Sequence, residues 1–193
     1  MRRSALAAVA ACAAIAISTA VPTAQSNMAR PEKYTAFAVN MSNMASRATT
    51  ATVDITINRW STDSERDRLL SVFREKGQDA LLSALQKLPV VGGIRTPESL
   101  NYDIHYARQR PEAEGGRMIF LMTDRYISAW EAANRPRTMD YPFTLIQLQL
   151  NREGRGVGKV SVATKITETR DGTIELENFA SEPVRLNEVR PIK

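Results

Sequence analysis

Two periodicities divide the chain. From Thr50 to Trp60 the run TATVDITINRW places Val53, Ile55 and Ile57 at one parity and Thr52, Asp54, Thr56 and Asn58 at the other. A period of two is the mark of a strand with one face against a core. The period then lengthens. Thr62 and Glu65 open the run TDSERDRLL with the spacing of a capping box, in which hydroxyl and carboxylate each satisfy a free backbone N–H. Asp63, Glu65 and Asp67 also suit the positive end of a helix, so this acidic cluster reads as a helix start rather than a metal site. The pattern predicts a helix over 63–76 that buries Leu69, Leu70, Val72 and Phe73 and stops at Gly77. A second follows over 79–88 with Leu81, Leu85 and Leu88 on its apolar face. Two helices this short need a sheet to pack on.

Most of the remaining pattern is β. KYTAFAVNM (33–41) puts Thr35, Phe37, Val39 and Met41 at one parity. Pro89, Gly92, Gly93 and Pro97 read as a loop. Further strands are predicted over 102–110, 117–125, 143–150, 159–169, 173–179 and 184–190. Their expected inward residues are Tyr102, Ile104 and Tyr106; Thr144, Ile146, Leu148 and Leu150; Val160, Val162 and Ile166; Ile174 and Leu176; and Val184 and Leu186. The turn TRDGT (169–173) fixes one register. A two-residue Asp-Gly turn would set Ile166 against Glu177, whereas a three-residue loop with Gly172 left-handed sets Ile166 against Leu176 and keeps the faces apart. The glycines of GRGVG (154–158) read as loop glycines with positive φ, because strands flank them and no helix follows to bind a phosphate. Together these elements predict an α+β domain: an antiparallel sheet of about six strands, a curved or barrel-like meander, with a helical hairpin inserted after an early strand.

The first residues break this pattern. Arg2 and Arg3 precede an alanine-rich apolar stretch that ends in small residues and Pro22, the order of a secretory signal peptide. Cleavage near Ala24 or Ala20 is expected, and the apolar run is shorter than the roughly 20 residues a membrane span needs. A lipoprotein site at Cys12 is disfavoured, since apolar residues continue past it. The organisation expected is then a signal peptide (1–24), a loose tail (25–32) and one domain (33–193), located in the periplasm or secreted, with no transmembrane segment in the mature chain. The leader holds two of the 26 basic residues and none of the 21 acidic ones, so the net charge falls from +5 to +3 when it is removed. That modest charge, without a cluster of Lys and Arg, argues against a nucleic-acid partner. The chain's single cysteine leaves with the leader, which removes thiol nucleophiles and cysteine-based metal sites from the expected mature chain. No cofactor motif is present and no metal site is assigned.

The stretches DITINRWSTDSERDRLL, GGIRTP, HYARQRP, DYPFTLIQLQL and SEPVRLNEVR resemble a group of uncharacterised exported bacterial proteins. The resemblance covers about two thirds of the mature chain. It implies an envelope or secreted setting and brings no activity or catalytic residue with it.

Candidate chemistry is sparse. His105 is the one histidine, and alternation places it with Asp103 on the polar side of its strand. Asp103 could orient the imidazole, but a Ser-His-Asp site also needs an activated serine and an oxyanion hole, and no G-x-S-x-G turn is present. Arg108, Arg110 and Arg117 could form a small anion patch or simply solvated strand ends. The connection 123–142 is the richest segment: Arg125, Tyr126, Trp130, Arg135, Arg137 and Tyr141 are residue types that anchor interfaces. An equally ordinary reading makes Ile127 and Trp130 a short helix plugging one end of the sheet. The expectation is an exported, non-catalytic binding or scaffolding domain. Its partner would be a protein met through 123–142, or a small apolar ligand held between sheet and helices. The alternative is a hydrolase built on carboxylates (Asp124, Glu131, Asp140) or on a serine paired with His105.

Overall fold

The computed structural model of the chain describes residues 31–40, 49–96, 101–125, 136–179 and 182–192. The expected leader, and Tyr126, Trp130 and Arg135, lie outside the described residues. The elements run β1 (Glu32–Asn40), β2 (Thr49–Ile57), α1 (Asp63–Gln86), β3 (Gly92–Arg95), β4 (Tyr102–Ile104), β5 (Tyr106–Pro111), β6 (Arg117–Asp124), β7 (Phe143–Leu150), β8 (Gly156–Glu168), β9 (Ile174–Asn178) and β10 (Val184–Pro191). The fold is α+β, and the sheet is antiparallel with ten strands rather than six. All eight runs with a strand period form strands, and two departures bring the count to ten. The glycine-rich stretch expected to be a loop contains β3, and the single strand expected over 102–110 is two strands that meet at His105.

Strand order is β4-β3-β2-β1-β10-β8-β7-β6-β5, with β9 paired to the far part of β8. One inner cluster draws residues from both ends of this path, among them Ile104 of β4, Ala107 of β5, Ile55 of β2 and Leu148 of β7. The sheet therefore curls around its own core. It does not close into a barrel: β4 and β5 end the path, no ladder joins them to each other, and only His105 carries the chain from one edge to the other.

His105 also changes the parity of its strand. Ile104 and Ala107 both face the inner core, while Tyr106 packs on the outer face beside the helix. The alternation expected for Tyr102, Ile104 and Tyr106 is thus broken by one residue. Two further strands shift in the same way. In β8 the pairing moves from Phe143↔Thr164 to Leu145↔Ser161, which inserts one extra residue. Such a bulge turns the following side chains over. Val160 consequently lies in the inner core, Ile166 lies in the outer cluster, and Val162 is 49% exposed, although all three were expected on one face. In β10 a register shift between Leu186 and Val189 puts both residues inside.

Strand β1 presents Tyr34 and Ala36 to the core and leaves Phe37 exposed, the reverse of the parity read from the sequence. The inner position of Tyr34 suits its hydroxyl, which joins the polar network at one end of the core. Ile174 and Leu176 of β9 are also exposed, at 39% and 58%, although their pairing is the one expected. Ile166 meets Leu176, Lys165 meets Glu177, Thr169 N–H donates to the Thr173 carbonyl, and Gly172 has φ +83°. Of the GRGVG glycines only Gly154 has positive φ. Gly156 and Gly158 are strand residues whose missing side chains admit a neighbouring backbone: a Cβ on Gly156 would lie 1.8 Å from the Gln149 carbonyl oxygen.

The expected pair of helices is one helical element interrupted at Gly77, whose φ of +77° and ψ of −167° leave the helical range. The start is as expected. Thr62 Oγ1 accepts from Glu65 N–H, and the Glu65 carboxylate accepts from Thr62 N–H at 2.8 Å. Leu69 and Phe73 before the break, and Leu81 and Leu85 after it, pack on Phe143 and Ile166 across the outer face of the sheet. Among the described residues no helix is long and apolar enough to cross a membrane.

Candidate functional site

The curled sheet has two unlike ends. At the end of the β5–β6 and β7–β8 turns, inward alternation brings Glu32, Tyr34, Gln109 and Arg117 together. Arg117 donates to both carboxylate oxygens of Glu32, at 2.6 and 3.2 Å, to Gln109 Oε1 at 2.8 Å and to the Tyr34 hydroxyl, which in turn donates to Glu32. This network closes the core at that end. Burial, reinforced by the Glu32 carboxylate, pushes the Tyr34 phenol well above its ordinary range. Arg117 therefore points inward and does not form an anion patch with Arg108 and Arg110. Arg108 pairs with Asp63 at 2.7 Å, and Arg110 pairs with Glu112 while its guanidinium lies 5.6 Å from the Phe120 ring centroid. A hollow of about 910 Å³ lies outside the plug among the turns, lined by charged residues such as Glu112, Arg152 and Arg155. It is wide, and its lining mixes these charged groups with Leu150 and Val157 rather than offering the mostly apolar walls usual for a small-molecule site.

The opposite end is apolar. Val53, Ile94, Tyr102, Val160 and Val162 line a pocket of about 320 Å³, with Thr123 and Thr144 beside them. Alternation explains the lining: Val53, Ile94, Tyr102 and Val160 continue the parities that fill the inner core. At the sheet's rim that inner face runs out of partners, so Tyr102 is 54% exposed. The pocket thus sits at the mouth of the curled sheet. It does not lie between sheet and helix, where the sequence led one to expect a ligand; a separate hollow of about 370 Å³ lies there, lined by Phe73, Arg74 and Gln78 of α1 and Lys165, Ile166 and Glu168 of β8.

Of the residues expected to bind, Arg125 borders this mouth and serves the fold as well. Its Nε donates to the Tyr141 carbonyl at 3.0 Å and one terminal nitrogen donates to the Thr138 carbonyl at 2.8 Å, holding the short 3₁₀ turn Pro136–Asp140 against β6. Arg137 is exposed on that turn. Tyr141 lies away from the pocket, with its hydroxyl on Glu177 and its ring 5.0 Å from that of Phe179. The Glu177 carboxylate accepting that hydrogen bond raises the Tyr141 phenol. Arg125 thus touches the backbone of the segment that carries Arg137 and Tyr141, while the Tyr141 side chain is directed to Glu177 and Phe179. Val53, Val160 and Val162 were read only as core positions, and Ile94 fell in the stretch read as a loop. Inward parity at a strand end was the available signal, but sequence does not say which end of a sheet stays open.

His105 is half-buried between β4 and β5. Its Nδ1 lies 2.9 Å from the Leu88 carbonyl oxygen. A carbonyl can only accept, so Nδ1 carries the proton. The imidazole thereby fastens the chain leaving α1 to the strand break. Asp103 accepts from Asn101 Nδ2 at 3.2 Å, and among the described residues no hydrogen bond joins His105 to Asp103 or to a serine. Of the expected carboxylates, Asp124 accepts from Gln86 and Thr123, Asp140 is exposed on its turn, and Glu131 lies outside the described residues. Comparison with protein-family models, curated proteins and solved structures finds no match for this chain.

Proposed function

We propose that this chain is an exported, non-catalytic binding domain of the bacterial envelope or extracellular space, and that its ligand is a small apolar molecule held at the mouth of the curled sheet. One observation carries the reading: the core is sealed by an ion-paired plug at one end and left at the other as an apolar concavity of about 320 Å³. That volume lies within the ~300–1,000 Å³ typical of small-molecule sites, and mostly apolar walls with a few polar groups are the usual lining. Rigid strands supply the walls, so the site needs little ordering when a ligand enters. A hydrolase built on His105 draws no support from an imidazole committed to a backbone carbonyl. Export rests on the leader pattern alone, and N-terminal sequencing of protein recovered from an exporting host should find a start near residue 25 or 21.

Binding is tested by titrating the full chain with indole, a neutral apolar probe, and following amide resonances. Shifts should concentrate at Val53, Ile94, Tyr102, Val160 and Val162. Saturable shifts centred instead on 112–116 and 149–157, or no saturable shifts at all, would remove the mouth as the site.

A further inference from the structure

We infer that the mouth pocket selects uncharged ligands of roughly ten non-hydrogen atoms that carry one hydrogen-bonding group, with the Tyr102 hydroxyl as its partner. This rests on the mouth being the binding site and goes on to name what it takes.

The selectivity follows from how the polar groups around the pocket are already engaged. Three charged side chains border it. Arg95 is paired with Asp54 at 3.1 Å, projecting with it from the outer parity of β3 and β2. Asp124 accepts from Gln86 Nε2 at 3.0 Å and from Thr123 Oγ1 at 3.2 Å. Arg125 donates to the carbonyls of Thr138 and Tyr141. An anionic or cationic ligand would have to give up its hydration beside valine and isoleucine walls, a large penalty; Arg95 is already ion-paired, and Asp124 and Arg125, of opposite charge and each already hydrogen-bonded, lie at the border and offset only part of it. The three threonines of the lining are engaged as well: Thr123 Oγ1 donates to the Asp103 carbonyl, Thr144 Oγ1 donates to the Val162 carbonyl at 2.8 Å, and Thr96 also has a partner.

Tyr102 is different. It lines the pocket and is 54% exposed, and among the described residues its hydroxyl has no hydrogen-bond partner. Its ring offers an apolar wall and its hydroxyl both a donor and an acceptor. The size limit comes from the volume. At about 30 Å³ for each water-sized group, 320 Å³ accommodates roughly ten heavy atoms. Behind the mouth the inner core is filled by residues such as Ile55, Leu186 and Ile146, so a long acyl chain finds no channel.

The test compares 2-naphthol with 2-naphthalenesulfonate, which share a ring system and differ in charge, by calorimetric titration of the full chain near neutral pH. The neutral probe should bind at least tenfold more tightly. Tyr102→Phe should weaken 2-naphthol roughly two- to tenfold, the worth of one hydrogen bond, and leave naphthalene binding unchanged. Val162→Asp, at an exposed wall position where the fold tolerates a charge, should weaken both neutral probes more than tenfold. If the sulfonate binds as well as the naphthol, or Tyr102→Phe changes nothing, the ligand class is wrong while the pocket stands. If no probe binds, or Val162→Asp leaves binding intact, the mouth is not the site and both readings fall.

Discussion

Glycine serves two separate purposes along this chain. At Gly77 and Gly172 the backbone takes positive φ where a helix breaks and a hairpin turns. At Gly156 and Gly158 the conformation is ordinary and the constraint is space. A Cβ on Gly158 would lie 2.6 Å from the Gln147 carbonyl oxygen and 2.8 Å from Leu148 Cδ2, and the clash at Gly156 is closer still. At Gly77 nothing lies within 4 Å of the added atom. Gly156→Ala should therefore lower stability by roughly 3 kcal/mol, since a backbone oxygen cannot step aside. Gly77→Ala should lower it by roughly 1–2 kcal/mol through backbone strain alone, since φ +77° with ψ −167° is a conformation open essentially to glycine. Urea unfolding would order the two, and a larger loss at Gly77 would contradict the close packing of β7 against β8. In sequence Gly77 reads as a helix stop and the other three as glycines near turns. Positive φ at Gly172 was legible from register, whereas contact with a partner strand was not.

At the scale of elements, the helix start is built from a chain of contacts that the sequence spells out only in part. The Thr62–Glu65 box was legible because both members lie within one turn. Arg59, which grips the same carboxylate at 2.8 and 3.0 Å, was not, since the chain between it and Glu65 must bend first. Hydrogen bonding from Arg59 holds the Glu65 carboxyl below its ordinary value of 4.5, against the opposing pull of partial burial. A carboxyl with a depressed folded-state pKa contributes stability that is full above its unfolded value and fades as pH falls through the folded one. Stability measured between pH 6 and pH 3 should thus decline on acidification, and Arg59→Met should flatten the part of that slope due to Glu65. An unchanged slope would show that this ion pair does not couple to folding. The second half of α1 depends on Gln78, which accepts from Ile166 N–H at 2.8 Å and donates to the Asp140 carbonyl at 3.0 Å. That side chain covers a stretch of β8 beyond the end of β7.

For the molecule as a whole, the curl of the sheet makes two ends, and chemistry distinguishes them. The plug residues Glu32 and Tyr34 come from β1 and Gln109 and Arg117 from the neighbouring pair β5 and β6, which lies distant from β1 along the path of the sheet. Arg117→Met would strand a partly buried carboxylate and should lower stability by roughly 1.5–3 kcal/mol, the range for hydrogen bonds to charged groups. Adding Glu32→Gln should restore much of it, because the uncompensated charge is then gone. Thermal unfolding of the single and double variants tests this, and additive losses would mean that the two residues act independently. Neither substitution should alter binding at the mouth, which lies at the other end of the same strands. The arginine patch expected at 108, 110 and 117 fails for the same reason: Arg117 belongs to the inner parity of β6 and the other two do not.

Local pattern determined much here on its own: the α+β class, the capped helix start, the break at Gly77, the antiparallel hairpin register at 169–173 and most of the strands. Each depends on residues within one turn of a helix or a few residues of a strand. Tertiary structure alone decided the number of strands, the bulges that turn Val162 and Ile166 to different surroundings, the parity change at His105 and the choice of which sheet end opens. A bulge or a strand break costs one residue of register, and whether that is favourable depends on the partner strand's packing, which no local pattern contains. The pocket is a consequence of that choice, since identical valines are core where strands continue over them and a binding wall where the strands stop.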